Sequence, residues 1–482
     1  MRGEGAEVSR LPNTGGVEAA ADELLLRLSR TAGPGVKAIL DGHRARLAEP
    51  PLVLIAGRVS AGKSTLVNAL IGARVAPTAA RETTAVLTTY RFGAPARAEA
   101  TMKDGSSQRV TMGHDGPDLA ALGADDVAHL TVHVQEAALR RFSILDTPGL
   151  GSAMTGNSEH TELALTTAAT HGVRPDVVLY VVRDMFRADD VAFLERFAQA
   201  WTSVADLPAQ SGVLAVLSHA DNYGAGPWGA VDPMQEAQRA AAELPDTHGV
   251  LAGAVAVSGL LAETVRTGLL RERDIRALRL LRDVDDDDLQ YAGLLGPVPD
   301  VPQEGLDRLT ALLGAYGVRH GRQHADSSPG LLDWVEELSG MRPLERLLED
   351  VLGASGGLAR VDSILGEVTT MARRERWGGE LESALEEALA SPEFHRLDQW
   401  RALAELRRAS PGHELIPVLE ALQRQPDRVP SRLAGVGDTE PLALAGRFQA
   451  LAGTAGTGAE AQAARVLSRS MILLATHGAQ WR

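Results

Sequence analysis

The chain has 482 residues and a formal net charge of −15, from 63 acidic and 48 basic side chains, and it contains no cysteine. This length suggests two or three domains, and the absence of cysteine excludes disulfides, thiolate zinc sites and a cysteine nucleophile. The acidic balance disfavours a protein that coats nucleic acid, so no nucleic-acid partner is expected.

The first residues and the longest apolar stretches indicate whether the chain is secreted or crosses a membrane. The first ten residues are polar and lack the apolar core of a secretory signal, which predicts a cytoplasmic protein. No apolar stretch reaches the roughly 18 to 20 residues that a membrane-spanning helix needs. Any membrane contact is therefore expected to be peripheral.

Residues 1–50 carry apolar side chains at helical spacing on both sides of a Gly33-Pro34-Gly35 break. This pattern predicts two amphipathic helices that end at Glu49-Pro50-Pro51, because glycine and proline interrupt helices. Each helix needs a partner surface for its apolar face.

From residue 52 the pattern changes to short continuous apolar runs at 52–56, 177–182, 213–217 and 254–257, with 142–145 a more mixed member. Such runs, separated by helical or loop segments, predict the buried strands of a mainly parallel sheet flanked by helices. Residues 51–262 are thus predicted to form an α/β domain. Val132 and Val134 alternate with polar residues, which predicts an antiparallel or edge strand. Beyond residue 262 only helical patterns remain, and residues 263–482 are predicted to be an α-helical region.

A complete GxxxxGK[ST] motif follows the first predicted strand and opens a predicted helix. Glycines let the backbone curl around phosphate oxygens, and the helix N-terminus adds a positive dipole. Lys63, one of three lysines in the chain, would reach the terminal phosphates, and Ser64 would ligate magnesium. The predicted nucleotide-binding residues here are Gly57, Val59, Ser60, Ala61, Gly62, Lys63, Ser64 and Thr65.

The predicted strand at 142–145 ends in Asp146-Thr147-Pro148-Gly149, a DxxG element. Its carboxylate would hold Mg²⁺ through water, and the N–H of Gly149 would sense the γ-phosphate. A threonine that completes the magnesium site should lie between the phosphate loop and this strand. Thr84 is the expected residue there, and Thr83 is the alternative.

Two further strand ends predict a guanine site. Asp221, in Ser218-His219-Ala220-Asp221, would accept the guanine N1–H and N2–H together, a pairing that adenine cannot reciprocate. His219 replaces the usual lysine of an [NT]KxD motif, so an imidazole would stack on the base. Ser258 and Gly259, after the next strand, would contact the guanine carbonyl through backbone N–H groups. GTP or GDP with Mg²⁺ is the predicted ligand.

With these motifs in place, the sequence resembles bacterial dynamin-like GTPases, particularly the actinobacterial IniA/IniC-like group. It is also similar to the paired dynamin-like proteins of sporulating filamentous actinobacteria. Four stretches carry the resemblance: residues 57–70, 75–78, 81–86 and 176–194, the last reading DVVLYVVRDMFRADDVAFL.

The resemblance implies a GTPase head on an α-helical neck and trunk, with the N-terminal helices packed on the helical bundle. It further implies nucleotide-dependent head dimerisation, a second dynamin-like protein as partner, and peripheral membrane binding or remodelling, with the division or sporulation septum as the expected place.

One departure from the family bears on catalysis. Val59 stands where eukaryotic dynamins have a water-orienting glutamine, which predicts slow or partner-dependent hydrolysis, while Ser60 matches the family and would help to neutralise charge near the β-phosphate. Two alternatives to an active membrane GTPase therefore stay open. One is a weakly hydrolysing GTP-binding scaffold in a membrane assembly. The other is a soluble ribosome-assembly GTPase, which would normally add a basic RNA-binding module that this acidic chain does not display.

Overall fold

The computed structural model describes most of the chain. The described residues are 15–77, 86–113, 116–119, 122, 126–147, 175–187, 190–192, 194, 212–244, 251–292, 301–353, 357–375, 377, 379–425, 428–429 and 440–477.

Ten strands form one sheet in this part of the chain, in the order β10-β9-β8-β1-β7-β2-β6-β3-β4-β5. The strands are β1 Leu52–Gly57, β2 Leu87–Phe92, β3 Arg97–Met102, β4 Ser107–Gly113, β5 Gly116–Asp118, β6 Val127–Val134, β7 Ser143–Asp146, β8 Val177–Val182, β9 Val213–Leu217 and β10 Leu251–Ala256.

The half of the sheet from β10 to β7 is parallel, as predicted from the short apolar runs. β1, β7, β8 and β9 are buried along their whole length. Burial explains why β1, β8 and β9 read as continuous apolar segments, whereas β7 also contains Ser143 and Asp146. The other half is mixed, since β2 pairs antiparallel with β7 and β3 pairs antiparallel with both β6 and β4.

The strand around Val132 is antiparallel to β3, as predicted, but it lies inside the sheet between β2 and β3 rather than at an edge. Its alternating pattern reflects one covered face, not a missing neighbour. The mostly exposed strand β4 carries no apolar run, so sequence periodicity did not reveal it.

The helices described are α1 Gly15–Thr31, α2 Pro34–Ala48, α3 Lys63–Ile71, α4 Pro233–Ala242, α5 Gly259–Arg266, α6 Glu272–Leu280, α7 Asp286–Gln290, α8 Gln303–Gly321, α9 Ser328–Leu338, α10 Met341–Val351, α11 Gly357–Glu375, α12 Gly379–Leu389, α13 His395–Ala409, α14 Ile416–Arg424, α15 Pro441–Thr454 and α16 Gly458–His477. Short 3-10 turns connect several of them. The two N-terminal helices and the largely helical region after residue 262 agree with the prediction.

Two buried clusters cover the faces of the sheet, and both contain residues from beyond residue 262. On one face Leu309, Leu313 and Leu331 join side chains of β1, β8 and β9. On the other face Met341 and Leu344 pack with β1, β7 and β8. The predicted boundary at 262 marks the end of the strand pattern, whereas the shared core continues to Leu352, because helices α6 to α10 cover the sheet.

Helices α1, α2 and α11 to α16 form a bundle with two buried cores. In the first, Leu24 and Leu25 of α1 pack with Leu358 and Leu365 of α11 and with residues of α12 and α13. In the second, the C-terminal half of α13 packs with α14, α15 and α16. The apolar face of α1 thus finds its partner in helices more than 300 residues later in the sequence.

None of the helices in the described ranges combines the length and apolar character that crossing a membrane requires.

Candidate functional site

The parallel strands β1, β7, β8, β9 and β10 end at one edge of the sheet, and β1 lies between β7 and β8. In such sheets ligands bind outside the carboxyl ends of the strands, where the chain connections on the two sides diverge. The predicted site residues that follow β1, β7, β9 and β10 are therefore brought to one edge.

The phosphate loop has the backbone that its sequence predicts. Gly57 has φ +146°, and a Cβ there would lie 2.3 Å from the carbonyl oxygen of Val181, so only glycine lets the loop leave β1 against β8. Ser60 has φ +60° and Gly62 has φ +88°, the latter at the N-cap of α3. These left-handed residues turn the loop around the N-terminus of α3, where N–H groups are free to bind anions.

Lys63 and Asp146 lie at the base of this loop and are both buried, at 7% and 0% exposure. Lys63 Nζ donates to the carbonyl oxygen of Arg58 at 3.0 Å. Burial lowers the pKa of Lys63, while the charge of Asp146 opposes that shift. Burial raises the pKa of Asp146 to about 7, against the opposing effects of Lys63 and the Thr147 backbone.

Neither carboxylate oxygen of Asp146 makes a hydrogen bond of ordinary geometry to the described residues. A buried carboxylate in this state is costly unless a cation or a donor reaches it. Asp146 and the half-buried Ser64 at the start of α3 therefore fit a hard cation that takes oxygen ligands, such as Mg²⁺.

The turn after β9 holds the predicted base-reading residues. Ser218 Oγ donates to the carbonyl oxygen of Val182 at 3.0 Å and lies 3.1 Å from His219 Nδ1. His219 has φ +55°, and its Cε1 would lie 3.4 Å from a Cβ placed on Gly62. Burial lowers the pKa of His219, which favours a neutral imidazole beside the phosphate loop. Asp221 follows on a short 3-10 turn.

In the turn after β10, the backbone N–H of Ser258, which was predicted to contact the base, has another partner. The N–H of Ser258 donates to the carbonyl oxygen of Ser339 at 2.9 Å, and its side chain caps α5 by accepting from Leu261 N. A base contact from this turn would thus come from Gly259. A Cβ on Gly259 would lie 3.4 Å from Thr65 Cγ2, so this turn lies directly against α3.

A cavity of about 460 Å³ opens between these elements, a volume suited to a nucleoside. His219, Asp221 and Gly259 line it together with Gly62 and Thr65 of the phosphate loop. Part of its wall comes from Ala311 and Leu312 of α8, which no motif identified. No local signal could have identified them, since they reach the cavity through tertiary packing alone.

A smaller cavity of about 210 Å³ lies on the other side of the phosphate loop. Val59 and Ser60 line it, together with three arginines, Arg58, Arg183 and Arg187. The sequence stretch 176–194 contained two of these arginines, but only the fold brings them beside the loop.

Thr83, Thr84 and Gly149 lie outside the described residues, so their predicted roles stay predictions.

Comparison with known proteins finds a related family and related sequences. Residues 53–198 match the dynamin family. The isoniazid-induced protein IniC of Mycobacterium tuberculosis, in strains CDC 1551 and H37Rv, is 36% identical over 259 residues, which cover 52% of this chain and 50% of IniC. The match thus spans about half the length of these curated relatives.

Among solved structures, one described as an oligomerised bacterial dynamin pair aligns over 98% of this chain and 76% of that chain, with 12% identity and a TM-score of 0.38. Toc33 from Arabidopsis thaliana aligns over 54% of this chain and 76% of that chain, with 19% identity and a TM-score of 0.23. From the family match and the IniC alignment, the predicted resemblance to bacterial dynamin-like GTPases is confirmed.

Proposed function

We propose that this chain, whose residues 53–198 match the dynamin family, binds GTP with Mg²⁺ and hydrolyses it at the carboxyl edge of its parallel sheet. One observation carries the proposal: a complete phosphate loop, the buried Lys63 and Asp146, and the Ser218 to Asp221 turn all lie around this edge. Phosphate binding and base binding, the two requirements of a nucleotide site, are then met side by side.

At the phosphates, the N–H groups of the loop and the N-terminus of α3 bind the anionic oxygens, and Lys63 exchanges the Arg58 carbonyl for the terminal phosphates. Ser64 and Asp146 would hold Mg²⁺, Asp146 through water, and the ion would supply positive charge that neutralises the phosphates.

We further assign Thr84 to the magnesium ion and the γ-phosphate, Gly149 to sensing the γ-phosphate, and Ser60 to charge near the β-phosphate. At the base, Asp221 accepts N1–H and N2–H, the imidazole of His219 stacks on the ring, and Gly259 faces the carbonyl.

The family match supports wider proposals about the whole protein. We propose that GTP binding promotes pairing of two heads, and that the helical bundle mediates peripheral binding or remodelling of the cytoplasmic face of a membrane, together with a second dynamin-like protein. The division or sporulation septum is the proposed place of action. The proposed parts are the N-terminal helices in 1–50, a GTPase domain in 51–262 and a helical neck and trunk in 263–482.

Phosphate release from GTP tests the central proposal. Lys63→Ala should abolish GTP binding or lower turnover at least 100-fold, because it removes the buried cation of the phosphate site. Lys37→Ala, at an exposed position on α2, is the matched control and should behave like the wild type. Unchanged multiple turnover by Lys63→Ala would refute the phosphate-loop assignment.

The base assignment has its own test. Asp221→Asn should invert the preference between GTP and xanthosine triphosphate, because the amide can donate to the xanthine O2 where the carboxylate accepted from guanine N2–H. If the variant still prefers GTP, Asp221 does not read the base.

A weakly hydrolysing scaffold is the second candidate, and one observation favours it: the apolar Val59 lines the cavity beside the phosphate loop. An alkyl group cannot hold a water by hydrogen bonding. The scaffold proposal fails if the protein alone shows liposome-stimulated turnover comparable to that of active dynamins. If the scaffold proposal holds, Val59→Gln should raise the slow wild-type rate.

Sedimentation with anionic liposomes, with and without a co-encoded dynamin-like protein, tests the membrane proposal. Co-sedimentation in either arm supports it. Its absence in both arms, with GTP binding intact, would favour a soluble GTPase such as a ribosome-assembly factor.

A further inference from the structure

One wall of the 460 Å³ cavity is built by a helix that lies outside every nucleotide-binding motif. Ala311 and Leu312 of α8 line the cavity together with Gly62, Thr65 and Asp221. Leu312 is nearly buried, whereas Ala311 is exposed. The site therefore depends on a segment about ninety residues beyond Asp221 in the sequence.

Hydrogen bonds hold this part of α8 in place from two sides. Thr264 Oγ1 on α5 donates to the carbonyl oxygen of Leu312 at 2.6 Å. Tyr316 Oη donates to Asp232 Oδ2, at the N-cap of α4, at 2.9 Å. Because α5 begins at Gly259, in the turn after β10, the wall is fixed relative to the same turn that faces the base.

Gly314 interrupts α8 where it passes Asp221. Its backbone has φ +66° and ψ 173°, a conformation that only glycine adopts readily. A Cβ at this position would lie 3.2 Å from Asp221 Oδ2 and 3.5 Å from Leu260 Cδ2. Because glycine has no side chain, the Asp221 carboxylate can lie close to the backbone of α8 at this position.

We propose that Ala311 and Leu312 of α8 complete the guanine-binding pocket, and that Gly314 is a specificity-determining position because its missing side chain sets the position of Asp221. The inference rests on the proposed function, since it assumes that the cavity binds a guanine nucleotide. It extends that function by assigning base discrimination to α8 as well as to the turn after β9.

The first test compares GDP with inosine diphosphate, which lacks the 2-amino group. Gly314→Ala should displace the carboxylate, weaken GDP binding about tenfold or more, and shrink the preference for GDP over inosine diphosphate, since a charged hydrogen bond to N2–H is lost. Gly305→Ala, on the same helix with 3.6 Å to its nearest neighbour Val301, should change neither affinity. An equal loss for both nucleotides in Gly314→Ala would overturn the specificity role.

A second pair of variants tests whether α8 forms part of the binding pocket, and it does so even if Gly314→Ala fails to fold. Ala311→Phe places a ring at the exposed edge of the cavity and should weaken GDP binding at least tenfold, with the melting temperature unchanged. Thr310→Phe adds the same ring at the neighbouring exposed position, which does not line the cavity, and should bind GDP like the wild type.

The role of α8 and the proposed function can be refuted separately. Wild-type binding of GDP combined with unchanged binding by Ala311→Phe would overturn the role of α8 alone. A wild-type protein that binds neither nucleotide would instead refute the proposed function.

Discussion

Asp146 combines full burial with two carboxylate oxygens that lack hydrogen bonds of ordinary geometry to the described residues. Burial raises its pKa to about 7 even with the Lys63 charge nearby, so ionisation of this carboxyl is less favourable than in water. Functional residues of this kind lower the stability of the empty protein, because the environment that binds the ligand is unfavourable without it.

Asp146→Asn should therefore stabilise the nucleotide-free protein, by roughly 1–3 kcal/mol, because a neutral side chain of the same shape removes the cost of a buried charge. Loss of the counter-charge for Lys63 offsets part of this gain. The same variant should weaken magnesium-dependent GTP binding at least tenfold.

Urea unfolding in a chelator and GTP titration with Mg²⁺ measure these two effects. Asp333→Asn, at an exposed position on α9, should change neither quantity. A loss of stability in Asp146→Asn would contradict the interpretation that the ionised carboxylate is unfavourable in the empty site.

The residues of the candidate site could be singled out from the sequence, but their atom-level contacts could not. The glycines, Lys63 and Asp221 were identified because each motif is a short contiguous segment whose chemistry needs those residue types. The hydrogen bond from the Ser258 N–H to the Ser339 carbonyl oxygen was not predictable, because it depends on where α9 ends relative to β10.

At the scale of elements, an ion pair joins the helical bundle to the sheet. Arg360 on α11 donates from Nε and Nη2 to the two oxygens of Asp176 at 3.0 and 2.9 Å, and from Nη1 to the carbonyl oxygen of Glu49 at 2.7 Å. Asp176 Oδ2 also accepts from the N–H of Leu52 at 2.7 Å. The starts of β1 and β8, the end of α2 and α11 therefore meet at one cluster, in which the Arg360 and Asp176 side chains are 11% and 7% exposed.

Arg360→Met should lower the free energy of unfolding by about 3 kcal/mol, because it leaves the Asp176 carboxylate buried without its cation. Adding Asp176→Asn should recover part of the loss. Arg97→Gln, which removes a partly exposed pair with Glu99, should cost less than about 1 kcal/mol. Equal effects of the two arginine substitutions in urea unfolding would contradict a structural role for the Arg360 cluster.

The elements themselves were predictable to different degrees. The continuous apolar runs and the helical periodicities correspond to β1, β8, β9, α1 and α2, because full burial or one apolar stripe leaves a clear local pattern. β4 left no such pattern, since its side chains are mostly exposed and its position follows from pairing with β3.

At the scale of the molecule, the sheet and the bundle have separate cores, and helices α6 to α10 belong with the sheet. Leu309, Leu313, Leu331, Val335 and Met341 all have 0% exposure. A fragment of residues 51–352 should therefore fold and bind GDP, whereas 51–262 should aggregate.

The physical reason is the area of sheet that would be uncovered. Burial of each side chain of this size contributes about 1.5–3 kcal/mol to the free energy of unfolding. Losing five such contributions removes an amount comparable to a typical net stability of about 5–15 kcal/mol. Thermal unfolding and GDP titration of both fragments measure this. A stable 51–262 fragment that binds GDP would support the boundary predicted from the strand pattern.

The sequence by itself predicted the phosphate-loop motif at the carboxyl edge of the sheet and the succession of an α/β part and a helical part. Both are written in short contiguous patterns, because backbone curvature, phosphate binding and strand burial each act over a few residues. The tertiary structure alone decided that α1 packs on α11, that the sheet core continues to Leu352, and that Gly314 lies beside Asp221. These depend on close packing between segments far apart in the chain, which no local pattern records.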